Sequence, residues 1–287
     1  DKVNNQLNAL NLKFYAPLFY VRDDKIKSYE NKYDTTTSTG SVFKQVNREE
    51  SLIHLMRVNL LKRLESSIHS FRLTLNSLLA QVDDLLTKID NAKNNDLYDA
   101  DIDINSIETD DDRLEDLLVG GKIKVLLKDL DLVKCKEDLL DDKKIMENLL
   151  SQTKVIDPSR DAKLKELKSL ISQKIKHPVN PKNNKIIVFS AFADTVKYLY
   201  DNLSEWLFEK GLFSAQVTGG DANKTNMPGC KAQLSSILIN FSPLSKKRNV
   251  IYPDEKNQID ILFCTDCISE GQNLQDFDYL INYVIHW

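Results

Sequence analysis

The sequence predicts an α/β protein in which an extended all-helical region precedes a lobe built on a parallel sheet. Two observations carry this. Apolar residues recur at three- and four-residue steps through the first part of the chain, and after His177 short apolar runs of strand length alternate with amphipathic helical stretches. A third observation points to a ligand: several of the apolar runs end in hydroxyl, glycine or amide residues, where parallel sheets place their binding crevice.

Residues 1–47 pass from an apolar-aromatic patch, KFYAPLFYV, to a Ser/Thr-rich stretch ending TTTSTGS, and read as a segment wrapped on something larger. The helical region is expected over 48–175. Its first part, Arg48 to Asp90, carries Leu52, Leu55, Met56, Leu60, Leu64, Ile68, Phe71, Leu75, Leu78, Val82, Leu85 and Ile89, a helical stripe of about 40 residues, broken at most once. Residues 91–112 are rich in Asn and Asp and read as a solvated acidic linker. A second helical block is expected from 113 to 153, interrupted at Gly120-Gly121. A third helix is expected to start near Asp157-Pro158, with the Asp as cap and the Pro in the first turn.

The lobe is expected over 176–287. IIVFS (186–190), FSAQVTGG (213–220), the run around Ile259 to Cys264, and YLINYVI (279–285) read as strands, with helices at 193–210 and about 230–241.

Composition narrows the function. With 41% hydrophobic residues the chain can bury a core, and 39 basic against 43 acidic side chains leave a net charge of −4, so no global basic field advertises nucleic acid. No apolar run reaches the roughly 20 residues of a membrane span, and DKVNNQLNAL has no signal-peptide pattern. A cytoplasmic location without a membrane partner is the expectation. Four cysteines make no disulfide framework.

Several familiar sites are absent. Cys264 and Cys267 form a C-x-x-C, yet no second pair supplies the four ligands of a structural zinc, and Cys264 sits on the strand and not in a first helical turn, so it reads as core packing. Gly120-Gly121-Lys122 lacks the upstream glycine and following Ser/Thr of a phosphate loop, and Gly219-Gly220 lacks the dinucleotide fingerprint. His54, His69, His177 and His286 show no ligand or triad spacing. No metal ligand set and no catalytic group is expected within these residues.

The series KIIVFSAFADTVKYLYDNL, VTGG, ILINFSP and IDILFCTDCISEGQNLQDFDYLINYVIHW resembles the second RecA-like lobe of superfamily 2 helicases, nearest to the Swi/Snf-type translocases and their bacterial relatives. In that family's terms VFSAF is motif IV, TDCISEGQNLQ is motif V, and INYVIHW leads toward motif VI; the helix REESLIHLMRVNLLKRLESSIHSF is similar to the segment preceding this lobe. The resemblance implies a P-loop NTPase-type fold, truncated before motif VI. It implies that Ser190, Thr265, Thr218 and Gly219 touch a nucleic-acid phosphate, that Gly271 and Asn273 face ATP, and that Glu270 and Gln275 couple nucleotide to strand. The departures are Val284, where the family usually has Asp, and a missing Arg in the helix before INFSP.

In function, the resemblance implies a piece of an ATP-dependent helicase or double-strand translocase. Its partners would be nucleic acid, DNA rather than RNA, and a missing first lobe of the same chain. ATP and Mg2+ would serve the intact protein, while this stretch alone would be catalytically silent, because the phosphate loop, the magnesium-binding Asp and the arginine finger lie elsewhere. The alternatives are a helical interaction or regulatory protein with a degenerate RecA-like scaffold, and a nucleotide-binding enzyme of another kind.

Overall fold

A computed structural model describes residues 2–36, 42–92, 101–102, 124–220, 222–268 and 273–284. The chain divides into two compact units, the first formed by Asp1–Leu64 and Phe71–Val155, the second by Glu65–Ser70 and Ile156–Trp287.

The first unit is helical. Its helices are α1 (Lys2–Ala9), α2 (Asp23–Tyr33), α3 (Gln45–Ser66), α4 (Ile68–Ala92) and α5 (Leu132–Lys154), with the last residues of α3 and the first of α4 counting with the second unit. The long apolar stripe becomes α3 and α4, broken once, at Ser67. Ser67 Oγ accepts the Ser70 N–H at 3.0 Å and so caps α4. The stripe's Leu52, Met56, Leu60, Phe71, Leu75, Leu78, Val82 and Ile89 are buried together with Leu139, Met146 and Leu149 of α5. The amino-terminal segment belongs to this core. Leu7, Leu10, Leu12, Phe14 and Tyr15 are buried in it, and α1 packs on α5.

Two buried carboxylates hold that segment. Asp142 of α5 accepts the N–H groups of Asn11 and Leu12 at 2.6 and 2.8 Å, and Glu49 of α3 accepts the Leu18 N–H at 3.2 Å. Small antiparallel ladders complete the unit: β1 (Thr35–Thr36) with β2 (Val42–Phe43), and β3 (Asp101–Ile102) with β4 (Val125–Leu126).

Three expectations are corrected by the structure. Within the acidic linker, Asp101 and Ile102 pair as a strand; 93–100 and 103–112 lie outside the described residues. The second helical block does not run through 124–131, which holds β4, a 3-10 turn at Leu127–Asp129 and a bridge from Leu130 to Val21. Leu126 and Leu130 fit a helical spacing, but backbone pairing with distant residues wins. Residues 113–123, with Gly120-Gly121, lie outside the described residues. The third helix starts at Ala162, not at Asp157. Asp161 caps it by accepting the Leu164 N–H at 3.0 Å, while Asp157 closes a local turn by accepting from Ser159 and Arg160.

The second unit is a three-layer α/β structure. Its elements are α6 (Ala162–Lys176), β5 (Ile186–Phe189), α7 (Ala193–Phe208), β6 (Phe213–Val217), β7 (Lys224–Thr225), α8 (Leu234–Phe241), α9 (Arg248–Ile251), β8 (Ile259–Cys264) and β9 (Tyr279–Asn282). The sheet order is β7-β6-β8-β5-β9, parallel throughout except for the short edge pair β6-β7. Alternation along the strands splits the core into two faces. Ile186, Val188, Ile261 and Phe263 pack with α6 and α7, whereas Ile187, Leu262, Cys264, Ala215 and Val217 pack with α8. Leu164, Leu167 and Ile171 of α6 lie in the sheet's own core, so this unit begins ahead of the boundary near 175 that the helical pattern suggested.

The described residues contain no helix long and apolar enough to cross a membrane.

Candidate phosphate-binding edge of the sheet

The ends of the parallel strands are aligned by their hydrogen bonds. Val217 of β6 pairs with Cys264 of β8, which pairs with Phe189 of β5, which pairs with Asn282 of β9. The ladder continues one residue further. Thr265 N–H donates to Val217 O at 3.2 Å, Ser190 N–H to Cys264 O at 3.0 Å and Tyr283 N–H to Phe189 O at 2.7 Å. Thr218, Thr265, Ser190 and Tyr283 therefore follow one another across the carboxyl edge.

Between β8 and β5 the exits of the chain diverge. β5 leads into α7 on one face, while the 3-10 turn Asp266–Ile268 after β8 sends Ile268 and Leu274 into the core of the other face. Neighbouring strands whose connections leave to opposite faces open a crevice, the place where α/β sheets bind ligands. The four residues assigned to phosphate contact, Ser190, Thr218, Gly219 and Thr265, are brought together here.

Their side chains are less available than the sequence suggests. Ser190 is fully buried and its Oγ accepts the Phe192 N–H at 3.4 Å; Thr265 is 6% exposed and its hydroxyl donates to Cys267 Sγ at 3.4 Å; Thr218 is also 6% exposed. The exposed groups on this edge are Gly219, Gly220, Asp266 and Cys267. A Cβ on Gly219 would stand 3.5 Å from the Cys267 Cβ, so the end of β6 and the turn after β8 are in contact. Among the described residues the edge thus presents backbone and the Asp266 carboxylate, with the hydroxyls turned inward.

Asn273 and Gln275 are exposed beyond this turn, and Glu270 and Gly271 lie outside the described residues. Cys264 is buried in the sheet, where burial, with Cys267 and Asp266 nearby, pushes its thiol pKa up and keeps it protonated; it packs as the sequence predicts. Val284, at the position where the resembled family has Asp, is buried among the residues facing α6 and α7.

Beside the edge lies a cluster that sequence reasoning missed. Thr195, in the first turn of α7, shares its hydroxyl with Ser66 Oγ at 2.6 Å and Ser67 Oγ at 3.1 Å, all three buried. Lys163 donates to the Glu65 and Ser66 carbonyls at 2.6 and 3.1 Å, capping the end of α3, and sits 4.1 Å from the centre of the Tyr283 ring. Burial lowers its pKa, against the pull of Asp161 and Glu65. Tyr198 donates to Asp161 at 2.9 Å, and Tyr283 Oη has no partner among the described residues. The pair Ser66-Ser67 inside a long apolar stripe was the one available signal, as a cap at an interruption.

No family model, curated protein or solved structure matches the chain.

Proposed function

We propose that the second unit is a RecA-like motor lobe of an ATP-dependent helicase or double-strand translocase of the Swi/Snf type, whose carboxyl sheet edge grips a nucleic-acid backbone. The observation that carries this reading is the convergence of three separate sequence motifs on adjacent strand ends: Thr218 and Gly219, Thr265, and Ser190 sit side by side at the switch point. Phosphate contacts of this kind position a duplex without reading its sequence.

Ser190 and Thr265 face inward, so they act by shaping the turns that present backbone, and Gly219-Gly220 supplies the close approach. Asp266 stands on the same edge and sets a lower limit on how near a phosphate comes.

ATP, when bound to the intact protein, would supply the free energy for closing the lobes around the strand. The exposed amide of Asn273 suits a contact to a ribose hydroxyl. The magnesium that the resemblance implies for the intact protein would be held by a carboxylate of the first lobe and by phosphate oxygens, and among the described residues no group of three or more His, Cys, Asp or Glu is arranged to hold a metal ion.

Fluorescence anisotropy with a labelled duplex DNA and its RNA counterpart tests this reading. Binding should be salt-dependent and indifferent to base sequence. Gly219→Asp, whose Cβ would make only ordinary contact with Cys267, adds a carboxylate to the edge and should weaken binding about fivefold or more. Absence of binding at low salt, or an undiminished Gly219→Asp variant, would refute it.

A further inference from the structure

Residues 45–92 hold neither glycine nor proline, yet the helix they form breaks at Ser67. The apolar stripe does not break with it. Leu60, Leu64, Ser67, Phe71 and Leu75 follow one another at steps of four, three, four and four, so a single unbroken helix would keep them on one face. Helices are interrupted at proline, at glycine or serine pairs, or where a side chain inserts into the hydrogen-bond ladder. Here the pair Ser66-Ser67 permits the break, and the inserted side chains come from α6 and α7.

In an unbroken helix the Glu65 and Ser66 carbonyls would accept the N–H groups of His69 and Ser70, four residues on. At the break the Lys163 ammonium of α6 donates to both carbonyls, at 2.6 and 3.1 Å, and the Ser70 N–H turns to Ser67 Oγ at 3.0 Å. Thr195 of α7 holds the same spot. Its hydroxyl lies 2.6 Å from Ser66 Oγ and 3.1 Å from Ser67 Oγ, and Thr195, Ser66 and Ser67 are 0%, 0% and 4% exposed. The first turn of α4 is held as well, since the His69 ring stacks on Tyr198 of α7 at 5.2 Å, and Tyr198 donates to Asp161, the cap of α6. All of these partners belong, with residues 65–70, to the second unit.

We propose that residues 65–70 are a two-position joint: seated on α6 and α7 the chain breaks at Ser67, and unseated from them α3 and α4 join into one continuous helix. The two positions exchange hydrogen bonds. The Glu65 and Ser66 carbonyls pass from Lys163 to the His69 and Ser70 N–H groups, while the Lys163 ammonium and the three hydroxyls pass to water. The apolar face is kept in both, because the stripe runs through Ser67 in register. Serine suits both positions too, as a residue that a helix tolerates and that caps one when it stands just outside. A break written by glycine or proline would have no second position. Here the second unit chooses between the two through contacts that exist only in the seated one.

The carbon chemical shifts at position 67 in the full chain test the proposal, because a helical residue has its Cα downfield and its Cβ upfield of an extended one. Ser67 in the wild type should lie outside the helical range. Lys163→Met combined with Thr195→Val removes the seat and should move both Ser67 shifts to helical values. Ser67→Ala combined with Lys163→Met should reach the same end without touching the buried Thr195, since it removes the cap of α4 from the joint itself. Circular dichroism confirms that each variant folds. A position 67 that stays outside the helical range in both double variants would overturn the proposal, since the local sequence alone would then set the break. A wild-type Ser67 that is already helical would overturn it as well.

Discussion

Glu49→Gln should remove most of the pH dependence of the helical unit's stability near neutrality. Glu49 is 2% exposed, its Oε1 has no partner among the described residues, and its Oε2 has only the Leu18 N–H. Burial pushes its pKa up to about 8 from 4.5, more than the Leu18 hydrogen bond lowers it. Because the folded value is raised, the fold binds the proton more tightly than the unfolded chain. Stability is then full below pH 4.5 and is lost as pH rises through 8. The slope is about 1.4 kcal/mol per pH unit, so between pH 6 and 8 the wild type should lose about 2–3 kcal/mol. Asp142 contributes in the same direction but in a lower window, since burial raises its pKa only to about 6. The interval from pH 6 to 8 therefore isolates Glu49. Gln keeps the carbonyl that accepts from Leu18 and cannot ionise, so the variant's stability should be nearly flat there. Urea unfolding monitored by amide exchange at Leu60 and Leu75, core residues of α3 and α4, reads the helical unit. A variant whose stability falls with pH as steeply as the wild type's would show that Glu49 is not protonated in the fold.

Three further substitutions probe the second unit. Thr195→Val leaves the buried Ser66 and Ser67 hydroxyls without their shared partner and should cost about 1–3 kcal/mol in urea unfolding; a neutral result would show that the hydroxyl cluster adds nothing to stability. Lys174 and Asp278 form a buried pair at 2.7 Å, with side chains 1% and 8% exposed, so Lys174→Met should cost about 3–5 kcal/mol and a second change, Asp278→Asn, should restore part of it. If the double variant is less stable than Lys174→Met, then Asp278 is held chiefly by the Asn180 backbone and side-chain amides, which also donate to it.

The parts of the fold set by local periodicity were legible. The stripe from Leu52 to Ile89 and the buried runs at Ile186, Phe213 and Ile259 need only hydrophobic spacing, and they became α3 and α4, β5, β6 and β8. Local chemistry did not settle which of two aspartates caps α6. Asp157 and Asp161 are equivalent in type, and the one whose following residues bury Leu164 and Leu167 prevailed. Residues 125–130 carry apolar residues compatible with a helix, and backbone pairing with residues distant in sequence, Val125–Leu126 with Asp101–Ile102 and Leu130 with Val21, keeps them out of one. The candidate edge was readable because a strand end can be read wherever a strand can. The inward turn of Ser190 and Thr265 was not, because it depends on Phe192 and Cys267 after the chain has turned. Thr195 and Lys163 were invisible for the same reason: each finds its partner at Ser66 through tertiary packing and not through spacing.

The central claim, that adjacent strand ends form one backbone-gripping surface, is tested most directly by hydrogen exchange of the chain with and without duplex DNA. The amides at Ala191 and Phe192, at Gly219 and Gly220, and at Asp266 and Cys267 belong to three separate peptides that converge on one edge. All three should gain protection together on adding the duplex and lose it together as salt is raised. Protection confined to another surface, or a duplex that binds while these three peptides exchange unchanged, would contradict the claim.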